Sequence, residues 1–171
     1  MLRAYIMKTI EIEVELMRYL NIRQNLIVPN IYWGMGLNYE CDIVKLSSSN
    51  YATEIEIKVS RQDLLKDKDK NHNHFSNLFK FLYFAVPEKL QELALKEIPI
   101  RAGLFIVGKN KYDRLFVREI RKPLLNKTCR QWTKEERYKL AELGSMRILG
   151  LKKKIVSGMR TVERLKNKVR E

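Results

Sequence analysis

The stretch Glu54-Ile55-Glu56-Ile57-Lys58 constrains the fold more than any other part of the chain. Strict alternation of charged and aliphatic residues signals a strand, because a strand sends successive side chains to opposite faces. Ile55, Ile57 and Val59 then share one face, and Glu54, Glu56 and Lys58 the other. Three charges in a row on a buried strand are costly unless they are paired or hold a metal ion. With Asp42 upstream, two carboxylates and a lysine converging on one point suggest a Mg²⁺ (or Mn²⁺) site for phosphodiester hydrolysis.

The elements around this strand follow from local pattern. Ile10 to Leu16 alternates strictly, but Met17-Arg18-Tyr19-Leu20 breaks the alternation. A helix from Thr9 to Leu20 gathers Ile10, Ile12, Val14, Leu16, Met17 and Leu20 on one broad face, with Thr9 as its cap. Glu13 then falls inside the apolar face and needs a partner or a metal. Asn25 to Trp33 reads as a strand whose Pro29 marks an edge or a bulge. Tyr39 to Leu46 is the next strand and carries Asp42. Tyr51 to Val59 is the third, so the three form an antiparallel meander. Ser60 is placed to cap a short helix, with Asp63 in its first turn. Lys66 to Asn73 is a charged loop. Leu78 to Val86 reads as a buried strand, Pro87 to Lys96 as a helix, and Ala102 to Val107 and Asp113 to Ile120 as two more strands. The order α-βββ-α-β-α-ββ predicts an α/β or α+β sheet domain over residues 1–123.

After Pro123 the pattern changes. Thr133-x-x-Glu136 fits a capping box. A helix should follow, interrupted at Gly144 and Gly150, and residues 151–171 carry an apolar stripe at helical spacing. Residues 124–171 therefore read as a basic helical extension. The formal net charge of +14 is concentrated there: Lys and Arg outnumber Asp and Glu by 19 to 15 up to Arg121, and by 15 to 5 beyond it. Such a surface attracts polyanions, nucleic acid first. Lys152, Lys153 and Lys154 are candidate phosphate contacts, and so are Ser60, Arg61, Lys66, Lys68 and Lys70 around the charged loop. The two cysteines, Cys41 and Cys129, are too few for a disulfide framework and read as reduced thiols. No signal peptide or membrane-length apolar run is evident, so the expectation is a soluble cytoplasmic protein with no membrane partner.

The arrangement Asp42-x13-Glu56-x-Lys58 resembles the PD-(D/E)xK nuclease superfamily. The likeness continues through Glu56-Ile57-Lys58-Val59-Ser60-Arg61-Gln62-Asp63, through Tyr83-Phe84-Ala85-Val86-Pro87-Glu88 and through Ala102-Gly103-Leu104-Phe105. These runs are similar to MmcB-like and phage-encoded members. The resemblance implies a restriction-endonuclease-like core and a metal-dependent nuclease, with DNA as the expected substrate in repair, phage replication or defence. It implies that Asp42 and Glu56 ligate Mg²⁺ (or Mn²⁺), with the Ile57 backbone carbonyl as a further ligand. Lys58 would position the attacking water and offset charge on the phosphate. Many members add a glutamate from the first helix, a role for which Glu13 is the first candidate and Glu11 the second. Cys41 stands where the family's defining proline would precede Asp42. A homodimer is a further expectation. The other readings are a non-catalytic nucleic-acid-binding or phage-assembly module, and a tail that docks an acidic protein. His72 and His74 lack the context of a metal site.

Overall fold

The chain folds as an α/β protein built on a six-stranded mixed sheet, with a long C-terminal helix. The computed structural model describes residues 7–32, 34–37, 39–66 and 76–170, with only the backbone of 168–170. The elements are α1 (Thr9–Tyr19), β1 (Leu26–Ile31), β2 (Cys41–Leu46), β3 (Ala52–Ile57), α2 (Arg61–Lys66), β4 (Phe79–Pro87), α3 (Gln91–Glu97), β5 (Gly103–Lys109), β6 (Leu115–Arg121) and α4 (Lys134–Arg170). The strands lie in sequence order across the sheet. β1, β2 and β3 pair antiparallel, as their short links require. β3–β4 and β4–β5 are parallel, because helical connections return the chain to the same end of the sheet. β6 closes the sheet antiparallel to β5.

α1 covers one face. Its Ile12 and Leu16, with Leu20 at its C-cap, pack with Ile27, Ile43, Ile55 and Ile57. This apolar stripe is narrower than the sequence suggested, since Ile10 and Val14 are 56% and 43% exposed. An alternating run wound into a helix spreads its apolar residues too widely for one flat sheet to cover. The cap also differs: Lys8, not Thr9, is the N-cap. This places Glu11 at the third helical position, where its carboxylate accepts the Lys8 backbone N–H at 2.8 Å.

Two packing groups cover the opposite face. Leu64, Leu82, Phe84, Ala94 and Leu104 cluster under α2 and α3. Trp132, Leu140 and Leu143 close over Val28, Val44 and Leu46. The segment after Pro123 thus contributes to the core before it becomes an extension. The Trp132 indole donates to the Leu78 carbonyl at 2.8 Å, and the Arg137 guanidinium donates to the Ser47 carbonyl at 3.0 Å. The Thr133–Glu136 capping box is formed.

α4 runs without interruption through Gly144 and Gly150. A Cβ on Gly144 would stand 3.3 Å from Val28, so this glycine lets the helix approach β1 closely. From Ile148 onward the large apolar side chains described along α4, such as Leu151, Ile155 and Leu165, are exposed. No helix among the described residues is long and apolar enough to cross a membrane.

Candidate active site

β3 is buried along its whole length, and Glu54, Glu56 and Lys58 are only 0%, 3% and 3% exposed. These charges therefore do not belong to a solvated sheet surface. Ile55 and Ile57 face the α1 layer, as the alternation requires. The neighbouring strand brings Asp42 alongside. The β2–β3 register runs from Leu46↔Ala52 to Ile43↔Ile55, and one step further sets Asp42 opposite Glu56. There the Asp42 side chain joins the two strands: its Oδ2 accepts the Ile57 backbone N–H at 2.7 Å. Ile57, whose carbonyl was expected as a ligand, is thus positioned by Asp42 itself.

Lys58 follows β3, and its backbone N–H continues the parallel ladder by donating to the Ala85 carbonyl at 3.0 Å. Its ammonium donates to Glu56 Oε2 at 2.9 Å, and both side chains are almost fully enclosed. The other oxygen, Glu56 Oε1, is buried and accepts no hydrogen bond among the described residues. A buried carboxylate oxygen with no donor is costly, and a bound cation would satisfy it. Burial pushes the Glu56 carboxyl up to about 7, opposed by Lys58 and reinforced by Asp42 and Glu54. Burial also raises Asp42, against the pull of its Ile57 hydrogen bond and of Lys58, while Asp63 and Glu40 push the same way as burial.

Glu13 approaches from α1. Asn30 Nδ2 donates to Glu13 Oε2 at 3.4 Å. Glu13 is raised by burial and, more weakly, by the charge of Asp42. Asn30 has a left-handed backbone with φ of 55°, which asparagine tolerates better than most residues. The kink follows Pro29 and changes the facing of β1, so that Val28 and Ile31, three apart, join the same core group. It also sets Asn30 opposite Asp42, between the Pro29↔Ile43 and Ile31↔Cys41 pairs. The register is unshifted on either side of it, so the positive φ re-aims the Asn30 side chain without inserting an extra residue. Pro29 gave the sequence signal for an irregularity, but nothing in the pattern singled out Asn30.

The donor set suits a hard cation. Asp42 Oδ1, Glu13 Oε1 and Glu56 Oε1 remain after the hydrogen bonds among the described residues are assigned. Among the described residues, no group of three His, Cys, Asp or Glu side chains forms a ready-made cage. Mg²⁺ seldom needs one, since it uses one or two carboxylates and fills its remaining positions with water and substrate oxygens.

The other predicted residues are placed unevenly. Ser60 caps α2, its Oγ accepting the Asp63 N–H at 3.1 Å. Arg61 and Lys66 are exposed on α2, whereas Lys68 and Lys70, like His72 and His74, lie outside the described residues. Lys154 lines a cleft together with Glu13, while Lys152 and Lys153 line a separate groove with Arg160. Glu54 sits deeper than Glu56, with the Cys41 thiol donating to its Oε1 at 3.8 Å. Burial, reinforced by the charge of Glu54, holds the Cys41 thiol well above its ordinary pKa, in keeping with a structural role.

No protein-family model matches the chain, and no curated protein matches it. Among solved structures it is similar to the SPO1766 protein of unknown function from Silicibacter pomeroyi. That similarity has a TM-score of 0.54 at 18% identity and covers 89% of this chain and 90% of the other. It extends to the fold alone.

Proposed function

We propose that the protein is a Mg²⁺- or Mn²⁺-dependent nuclease of the PD-(D/E)xK type, cleaving phosphodiester bonds in DNA. The observation that carries this reading is the enclosed Glu56–Lys58 pair beside Asp42, with one Glu56 oxygen that has no donor among the described residues. A purely structural ion pair would satisfy both carboxylate oxygens, because a half-satisfied buried pair is expensive.

Asp42 and Glu56 would hold the ion, with Glu13 completing the acidic side. When bound, the ion supplies Lewis-acid charge at the phosphate. Asp42 is fixed by the Ile57 N–H, so its free oxygen is aimed without further ordering. Lys58 holds a proton at Nζ within hydrogen-bond reach of Glu56. From there it orients the attacking water and offers positive charge to the phosphate oxygens as they gain negative charge. The buried surroundings of Glu56 keep bulk water from screening this charge.

The test is a cleavage panel of single-stranded, duplex and branched DNA, with and without Mg²⁺ or Mn²⁺. Metal-dependent product should form with the native chain and disappear with Lys58→Ala, which should still bind DNA. Absence of product from every substrate with either metal would defeat the proposal.

A further inference from the structure

A cleft of about 400 Å³ lies between the acidic residues and α4. Glu13 and Glu40 stand among its lining residues, and so do Arg147 and Lys154. Acidic and basic side chains that share a small cleft ordinarily pair. Among the described residues no ion pair joins Glu13 or Glu40 to Arg147 or Lys154, and Lys154 makes no hydrogen bond. The Arg147 guanidinium donates instead to the backbone carbonyl of Asn30, the residue whose side chain holds Glu13. Arg147 is thereby anchored by a neutral acceptor, and its charge stays available. The acidic and basic groups are held apart by the frame: α1 and the segment before β2 carry the acids, while α4, seated by Trp132 and Gly144, carries the bases.

A ligand that fits such a cleft carries the opposite charge order, with a cation toward Glu13 and an anion toward Arg147 and Lys154. We infer that the cleft binds one strand of a polynucleotide, its phosphate held by Arg147 and Lys154, while Glu13 and Glu40 would hold a divalent cation that supplies positive charge beside it. The cation half of this inference rests on the nuclease reading; the phosphate half does not. The inference also divides the basic tail. Lys154 contacts the strand that enters the site. Lys152 and Lys153, which line a different groove, add only screened attraction at a distance.

The experiment measures binding rather than turnover, in the full chain carrying Lys58→Ala so that no probe is cut. Fluorescence anisotropy of a short labelled single-stranded DNA is recorded with and without Mn²⁺, and repeated for added Lys154→Glu and Lys153→Glu. Lys154→Glu should weaken binding by about tenfold or more and abolish the strengthening by Mn²⁺, whereas Lys153→Glu should cost about threefold or less. Arg147→Lys, which keeps a donor for Asn30, should fall between them with an unchanged circular dichroism spectrum. Equal losses from Lys154→Glu and Lys153→Glu, or none from Lys154→Glu, would overturn the inference and leave only a diffuse basic surface. If the Lys154-selective loss appears but the native chain cuts nothing, phosphate binding stands and the nuclease reading fails. If the native chain cuts but Lys154→Glu binds normally, the nuclease reading stands and the cleft assignment fails.

Discussion

The carboxylate of Asp42 accepts the backbone N–H of Ile57 at 2.7 Å through one oxygen, and so joins β2 to β3. One side chain thus serves fold and site, and two substitutions separate the roles. Asp42→Asn retains a carbonyl oxygen for the Ile57 N–H, so it should cost about 1 kcal/mol or less of stability. Asp42→Ala orphans a buried donor and should cost about 1–3 kcal/mol. Both should abolish metal-dependent cleavage. Urea unfolding separates the variants, and the cleavage assay should not.

The Glu56–Lys58 pair should be strongly non-additive. Lys58→Met leaves a buried carboxylate without its cation, a loss on the order of 3–5 kcal/mol for a pair that stays charged. Glu56 can escape part of that cost by taking up a proton, since burial already raises its pKa. Glu56→Gln combined with Lys58→Met should therefore be more stable than the sum of the two single effects. A double-mutant cycle by chemical denaturation reads the coupling directly.

Without a divalent ion, stability should decline as pH rises. Burial pushes the Glu56 carboxyl up to about 7 in the fold, against about 4.3 when unfolded. The folded protein binds this proton more tightly, so the contribution is full below the unfolded value and lost as pH rises through the folded one. Thermal unfolding of the native chain should show this decline, and Glu56→Gln should remove its share. On the nuclease reading, proton and cation would compete for the same oxygens. Saturating Mn²⁺ should therefore raise the melting temperature more at about pH 8 than at about pH 6.

Much of this arrangement was legible because strand alternation is a strong signal. Glu54, Glu56 and Lys58 share a face as their spacing demands, and Asp42 lies beside them because short links force β1, β2 and β3 into a meander. What escaped the sequence depends on contacts between distant segments. Asn30 becomes important only because its left-handed backbone brings it opposite Asp42, and a run such as Val-Pro-Asn does not specify that conformation. Arg147 is indistinguishable by pattern from the many basic residues around it, until α4 is seated on β1. Gly144 looked like a break because glycine costs about 1 kcal/mol in a helix relative to alanine. Tertiary packing against Val28 outweighs that preference.

The seating of α4 gives the last prediction. Trp132 is 2% exposed, tilts against Phe79 at 6.2 Å between ring centroids, and donates to the Leu78 carbonyl. It also receives the chain where the Ser47–Asn50 turn meets the tail, through its own N–H to the Asn50 carbonyl at 2.8 Å. Trp132→Ala removes a large buried side chain and should cost about 3–5 kcal/mol. By contrast, Ile155, Met159 and Leu165 are exposed and contribute little to the fold. A chain ending at Val156 should keep its melting temperature within a few degrees. It also keeps Arg147 and Lys154, so its affinity for single-stranded DNA should fall less than that of Lys154→Glu. Calorimetry and anisotropy on the two variants check both halves. A truncated chain that unfolds like Trp132→Ala would mean that the projecting half of α4 supports the core after all.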